Sequence, residues 1–342
     1  MKNKFIIREY LPSDNQAALQ LEERCPQGEE LKISFHRKNF HQRSEMYKDY
    51  LILAGYYDKK LVSLVAGAVK EILINKKKVK AGYFYDLRVD PDYRGLKLRI
   101  AQKMSNFIVS KMSSKADFIY CMIAGRNLRA LHLLKRYYNA QVIIPFKYIV
   151  NPVYKKRRVK RSLKESKFEE VHKNFLKYNS SLDFYCSPNL ERMYGYLKSY
   201  SLESSSGEAG CSIWSSKEIL GERIENIPKK YRILQFLFKV LSPLIKTPCI
   251  PKKGEALDSW YLFDFYASDY KSATELFLHI NNIALQEGKN YIYLPLEETD
   301  DFYPALRKCC WKFSPVIDYF ILGSGNVLPQ TNSNIYIDIR DL

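Results

Sequence analysis

A five-residue pattern of aromatic and acidic side chains occurs twice in this chain, and no other feature constrains its fold as much. Tyr83-Phe84-Tyr85-Asp86-Leu87 returns as Tyr261-Leu262-Phe263-Asp264-Phe265, an offset of 264 − 86 = 178. Ile119-Tyr120 returns as Ile292-Tyr293, an offset of 292 − 119 = 173. Each later match leads into an apolar stretch, then a polar break at Gly125-Arg126-Asn127 or Glu298-Thr299-Asp300, then a helical pattern over 128–138 or 302–311. Matching segments in a fixed order at near-constant spacing mark a duplicated unit. The offset shrinks by five, about the length of a turn such as residues 91–95, so the second copy is expected to lack that loop.

The elements of the first copy follow from periodicity. Residues 4–10 read as a strand, and Ser13 is expected to cap a helix over 14–24, its hydroxyl accepting from free N–H groups. Residues 28–50 read as irregular helix and loop. Alternating or continuous apolar runs at 51–57, 61–73 and 79–89 read as strands. Asp58-Lys59-Lys60 and Asn75-Lys76-Lys77 between them read as hairpin turns. A 3.6-residue apolar period over 98–112 predicts a helix. A strand over 117–123, a helix over 127–138 and a strand over 141–150 come next. Strands first, then alternating strands and helices, predict a mixed α/β fold.

At roughly 100–200 residues per domain, 342 residues suggest two domains. The boundaries read as 1–152, a basic linker at 153–165, and 166–342. With 46% hydrophobic and 27% charged residues the chain can bury a core. Fifty-five Lys and Arg against 37 Asp and Glu give a net charge of +18, which favours anionic partners without choosing among them. The start turns polar by Arg8, and no apolar run approaches the roughly 20 residues of a spanning helix. Seven cysteines, odd in number and without a CxxC pair, fit reduced thiols. A soluble, cytoplasmic protein is expected.

The chemistry concentrates in Asp86-Leu87-Arg88-Val89-Asp90-Pro91-Asp92-Tyr93-Arg94-Gly95-Leu96-Lys97-Leu98. A strand ends at Pro91, a loop carries Arg94 and Gly95, and an amphipathic helix starts near Leu98. Free N–H groups of such a loop and of the first helical turn converge on one spot that the helix dipole makes favourable for an anion. Arg94, Lys97 and Arg99 add three cations, a way to hold a pyrophosphate without a metal.

This strand, the Val-x-Pro-x-Tyr-Arg-Gly turn and the following helix resemble the acyl-CoA-binding motif of the GNAT superfamily of N-acetyltransferases. Asn127-Leu128-Arg129-Ala130 resembles that family's second block, and the element order of the first 150 residues is similar too. The resemblance implies two tandem GNAT-like domains, the second degenerate, each a mixed, mostly antiparallel sheet flanked by helices. It implies an N-acyltransferase that moves an acyl group from acetyl-CoA or another acyl-CoA to a primary amine by direct attack. Leu87, Arg88 and Val89 would pair with the pantetheine arm. Arg94, Gly95, Leu96, Lys97 and Leu98 would cradle the pyrophosphate, and Asn127 would bond the pantetheine or brace the strands. A backbone N–H near Val89 would polarise the thioester carbonyl. Asp86 would be the general base, or else a carboxylate paired with Arg88 or a neighbouring Lys. The family's frequent Tyr acid falls on Leu134, so Tyr137 or Tyr138, one turn along, would replace it.

Other features receive plainer readings. The basic run 154–161 reads as a solvated linker or a contact for a phosphate-bearing partner. The apolar segment 231–246 reads as a buried helix capping the second domain, in preference to a membrane-surface element. Scattered histidines give no metal-ligand spacing. The aromatic residues read as core, so neither nucleic acid nor a membrane surface is the expected partner. The expected acceptor is a small-molecule or peptide amine, with Glu297, Glu298, Asp300 and Asp301 able to make its cleft acidic. A non-catalytic GNAT-fold binding protein and a basic nucleic-acid or anionic-surface binder are the alternatives.

Overall fold

A computed structural model describes residues 5–28, 31–95, 99–179, 181–188, 192–193, 196–202, 207–325, 328–331 and 334–342. The chain forms two compact units, one of residues 1–145, 183–194 and 319–342, the other of 146–182 and 195–318. Both are mixed α/β, with a mostly antiparallel sheet flanked by helices.

In the first unit the strands lie in the order Phe5–Glu9, Asp49–Tyr57, Lys60–Ile74, Lys77–Val89, Phe118–Ala124 and Val316–Ser324. All neighbours are antiparallel except Lys77–Val89 with Phe118–Ala124, which run parallel. Two tight hairpins join the long central strands. Asp58 and Lys59 have φ of 47° and 70°, and Asn75 and Lys76 have 49° and 64°. Two left-handed residues in succession match the right-handed twist of the flanking strands, so both predicted turns form. Helix Ile100–Ser113 buries Ile100, Met104, Ile108 and Met112 against Leu53, Val62, Val65 and Val89. Gly67 lets it come close, since a Cβ there would sit 2.5 Å from the Met112 sulfur.

The second unit has the order Gln141–Pro152, Tyr291–Leu296, Ser259–Ala267, Ala209–Ser215, Tyr196–Leu202 and Leu163–Ser166. Counted from Val316–Ser324 in the first unit and from Gln141–Pro152 in the second, the pairings run identically. The first is antiparallel, the second parallel, and the remaining three antiparallel. Helix Tyr270–Gln286 packs Ala273, Leu276, Phe277, Ile280 and Ala284 onto Trp260, Leu262 and Ile292. Cys310 is buried in the same cluster, with Cys309 at its margin, as small hydrophobes. Each unit is completed by a strand from the other half of the chain. The strand after helix Leu128–Tyr138 belongs mostly to the second unit, and the strand after helix Tyr303–Cys309 mostly to the first.

Several sequence readings need correction. Residues 12–14 form a 3-10 turn, and the helix is Asn15–Glu23, with Asp14 rather than Ser13 preceding it. Asp14 is drawn into an ion pair with Arg8 at 2.7 Å and closes the 3-10 turn, so the helix starts one residue later than a Ser13 cap would place it. Within 28–50 lie a strand, Lys32–His36, and a 3-10 segment, Phe40–Met46. Helix Lys229–Leu241 has no buried residue, so it is not a buried cap. The basic run is a strap and not a solvated linker. Its backbone is tied to helix Tyr270–Gln286 by Arg157 N to Asn282 Oδ1 (2.7 Å), Asn281 Nδ2 to the Lys155 carbonyl (3.0 Å) and Lys160 N to Glu275 Oε1 (2.6 Å).

The hairpin geometry is directly testable. Lys59→Gly and Lys76→Gly put the residue that tolerates a left-handed φ at the second turn position, giving Asp-Gly and Asn-Gly. Each is expected to raise stability by about 0.5–1 kcal/mol in urea unfolding.

Candidate functional site

The parallel pair in the first unit holds together for three residues only, Ala81↔Phe118, Gly82↔Ile119 and Tyr83↔Tyr120. Beyond it the strands part. Cys121–Ala124 continues in register with Val316–Ser324, while Tyr85–Val89 stays with the strand on its other side. The cause is a bulge: Leu64 faces Arg88 and Ala66 faces Tyr85, so Asp86 and Leu87 share one partner position. Asp86 has φ of 52°. An extra residue bends and twists its strand, and Asp is among the few side chains that accept the left-handed conformation. The edge of Leu87, Arg88 and Val89 is thus turned into a V-shaped notch.

The second unit repeats this geometry at the two offsets of the sequence repeat. Its parallel pair is Ser259↔Tyr291, Trp260↔Ile292 and Tyr261↔Tyr293. Its bulge leaves Asp264 and Phe265 opposite Cys211, with Asp264 at φ 48°. The Asp of the repeat therefore marks a backbone position in both places.

The two notches lead into differently built helix starts. In the first unit ten residues, 90–99, separate strand from helix, and in the second only 268–269 do. The connection is eight residues shorter and the helix three longer, 17 against 14, which accounts for the offset falling by five. In the second unit Asp269 caps the helix, its Oδ1 accepting from Ser272 N at 2.8 Å. That bond holds its carboxyl below the usual carboxylate range. An anion of the chain's own already occupies this dipole end. In the first unit Arg99, at φ 48°, supplies no side-chain cap. The preceding turn is braced by Asp90, which accepts from Asp92 N (3.0 Å) and pairs with Arg24 (2.7 Å) and Lys60 (3.1 Å). Gly95 has φ of 79°, and among the described residues nothing lies within 4 Å of where a Cβ would be.

Beneath the notch lies a buried charge cluster. Arg37 donates to Asp86 Oδ2 (3.0 Å), Arg43 to Asp86 Oδ1 (3.2 Å), and Arg88 Nη2 stands 3.4 Å from Asp86. Arg37 also makes a two-pronged pair with Glu22 from helix Asn15–Glu23. Burial alone would raise the Asp86 carboxyl, but Arg37, Arg43 and Arg88 together hold it well below the usual range. Arg43 continues to the carbonyls of Arg340 (3.1 Å) and Leu342 (3.0 Å). There Asp341 receives Tyr47 (2.9 Å), Tyr120 (2.6 Å) and Lys70 (2.7 Å), while Lys70 and Arg340 flank Asp338. Burial raises the Asp341 carboxyl against the pull of Lys70, and pushes Tyr47, Tyr83 and Tyr120 far above ordinary phenols, so all three stay neutral donors.

The remaining site candidates have partners of their own. Val89 is buried, its carbonyl accepting from Arg94 Nε (2.8 Å) and the Cys25 thiol (3.3 Å). Asn127 caps helix Leu128–Tyr138 by accepting from Ala130 N at 3.3 Å. The Tyr138 hydroxyl donates to Asn106 Oδ1 (2.6 Å) on helix Ile100–Ser113 and is pushed up by burial. Leu96, Lys97 and Leu98 lie outside the described residues. Sequence reasoning missed Arg37, Arg43, Glu22, Lys70 and Asp341. Of the cluster, Asp86 and its expected pairing with Arg88 are legible in the sequence, and the two side chains stand 3.4 Å apart.

The fold that carries the bulged strand and the three-residue parallel pair is GNAT-like. Among solved structures, N-myristoyltransferase from Saccharomyces cerevisiae with bound myristoyl-CoA and inhibitors is similar at 12% identity and a TM-score of 0.61, covering 98% of this chain and 87% of that one. A candidate acetyltransferase from Pyrococcus horikoshii is similar at 14% identity and 0.52, covering 97% and 92%. A GCN5-related N-acetyltransferase from Anabaena variabilis is similar at 10% and 0.51, covering 94% and 72%. No family model and no curated protein matches the sequence.

The charge cluster yields two expectations. Asp86→Asn keeps the shape but leaves three buried guanidiniums short of one anion, and is expected to cost about 3–5 kcal/mol in denaturant unfolding. Because the folded Asp86 titrates below its unfolded value near about 3.9, its pairing stabilises fully above that pH and is lost as pH falls below it. Asp14, lowered to about 2, acts with the same sign. The acid limb of the stability curve between about pH 4 and pH 2 should flatten in Asp86→Ala relative to the parent protein.

Proposed function

We propose that this chain is an acyl-CoA-dependent N-acyltransferase, with acetyl-CoA or a longer acyl-CoA as donor and a small-molecule or peptide amine as acceptor. The observation that carries it is the contrast between the two notches: one leads to a helix start without a side-chain cap beside Arg94 and Gly95, the other to a start that Asp269 fills. The sequence halves 1–152 and 166–342 are read as two copies of one ancestral unit, of which the first keeps the cofactor.

In this reading the free edge of Leu87, Arg88 and Val89 pairs with the pantetheine arm as an added strand. The turn through Arg94, Gly95, Leu96, Lys97 and Leu98 takes the pyrophosphate, and the dipole of helix Ile100–Ser113 adds to its hold. The neutral acceptor amine attacks the thioester carbonyl and a C–N bond forms. The C–S bond breaks to release the thiolate, and the proton lost from the nitrogen reaches that thiolate through solvent, leaving the amide and CoA thiol. A backbone N–H near Val89 stabilises the oxyanion between those steps. Asp86 is proposed as a positioning residue, since three guanidiniums keep it ionised and a base must take up a proton near the working pH. Tyr138 is placed in the same role through its bond to Asn106, and Asn127 through its cap.

The same two tied-up side chains favour a second reading, a GNAT-fold protein that binds acyl-CoA without turnover. A thermal-shift titration with CoA, acetyl-CoA and myristoyl-CoA tests the first step. Saturable stabilisation is expected, with Arg94→Ala weakening it about tenfold or more and Asp269→Ala leaving it unchanged. No shift with any of the three would sink both readings. Binding without thiol release across an amine panel would select the second.

A further inference from the structure

The second unit carries an amphipathic helix whose apolar face is outward. In Lys229–Leu241 and the turn after it, Ile233, Phe236 (66% exposed), Leu237, Val240 and Leu244 (82% exposed) face solvent. Their spacing of three and four residues aligns them in one stripe. The other side of the helix holds it to the unit. Phe238 meets Trp311 edge-on at 5.9 Å, and Gln235 Nε2 donates to the carbonyls of Ile250 (3.2 Å) and Pro251 (2.8 Å). Trp311 in turn meets Phe313 at 5.3 Å, and Phe313 is 69% exposed. An exposed apolar stripe of this kind is rare on a surface with no partner.

The charges around it are one-signed. Residues 228–253 contain seven Lys or Arg and no Asp or Glu. Lys229, Lys230, Arg232, Lys239, Lys246, Lys252 and Lys253 are all exposed. A second copy of this chain is a poor occupant, because a two-fold contact would press the same cations together. The partner must be apolar and negatively charged over a continuous area.

We propose that this face docks on the surface of a bilayer containing anionic phospholipid. The helix lies in the plane of the interface, the stripe enters the acyl boundary, and the cations meet lipid phosphates. No described helix is long and apolar enough to cross a membrane, which suits lying on one. The proposal does not depend on the acyltransferase reading.

Sedimentation of the full chain with vesicles tests it. Binding to phosphatidylcholine vesicles containing phosphatidylglycerol is expected to be at least about tenfold tighter than to phosphatidylcholine alone, and to weaken as salt rises. Phe236→Ser with Leu244→Ser, and separately Lys229→Glu with Lys230→Glu, should each weaken it by about tenfold. All four side chains are exposed, so folding is preserved. Absent or charge-indifferent binding, or variants without effect, would overturn the proposal. So would a self-association or an acidic-protein contact that Phe236→Ser abolishes in place of vesicle binding.

Discussion

The left-handed turn at Asp86 is the point on which the first unit depends. It exists because one extra residue is accommodated in a strand, and it persists because three buried guanidiniums close on its carboxylate. Without the bulge, Lys77–Val89 would continue beside Phe118–Ala124 and no edge would be free. Without the arginines, a carboxylate in that position would carry its desolvation cost unopposed. Backbone geometry and electrostatics thus specify the same residue for separate reasons.

The second unit keeps the same backbone turn. Asp264 holds the same conformation, and His172 Nδ1 lies 2.6 Å from its carboxylate. The loop that opens a helix start to solvent is gone, and Asp269 satisfies the freed N–H groups. A scaffold can keep its shape after the reason for the shape has been closed off. The repeat Asp is therefore explained by the strand's path, whatever either unit binds.

Much of this was legible in the sequence. The strands between 51 and 89 and both hairpin turns arise from patterns that local chemistry dictates, and the two offsets of the repeat are the ones that relate the parallel pair of one unit to that of the other. What escaped was whatever depends on distant residues meeting. Arg37 and Arg43 sit in a segment without periodicity, Glu22 lies on a helix whose period says nothing of its partner Arg37, and Lys70 meets Asp341 across 271 positions. Helix Lys229–Leu241 misled in the opposite way: its apolar period is the same whether that face meets a core or solvent, so pattern alone assigns it inward. The charge run 154–161 likewise says nothing of the backbone bonds that strap it down.

The exchange of final strands has a consequence for synthesis. Ala124 pairs with Tyr319, a separation of 319 − 124 = 195 residues, so the first sheet lacks its outer neighbour until residues 319–324 have left the ribosome. The nascent N-terminal half waits with Cys121–Ala124 as an exposed edge, and the strand it has already made, Gln141–Pro152, finds its neighbour Tyr291–Leu296 only once that segment too has emerged. Long-range closure of that kind slows folding and leaves a sticky intermediate. The strand exchange ties two similar sheets into one kinetic unit: neither is complete until segments from both halves of the chain are present.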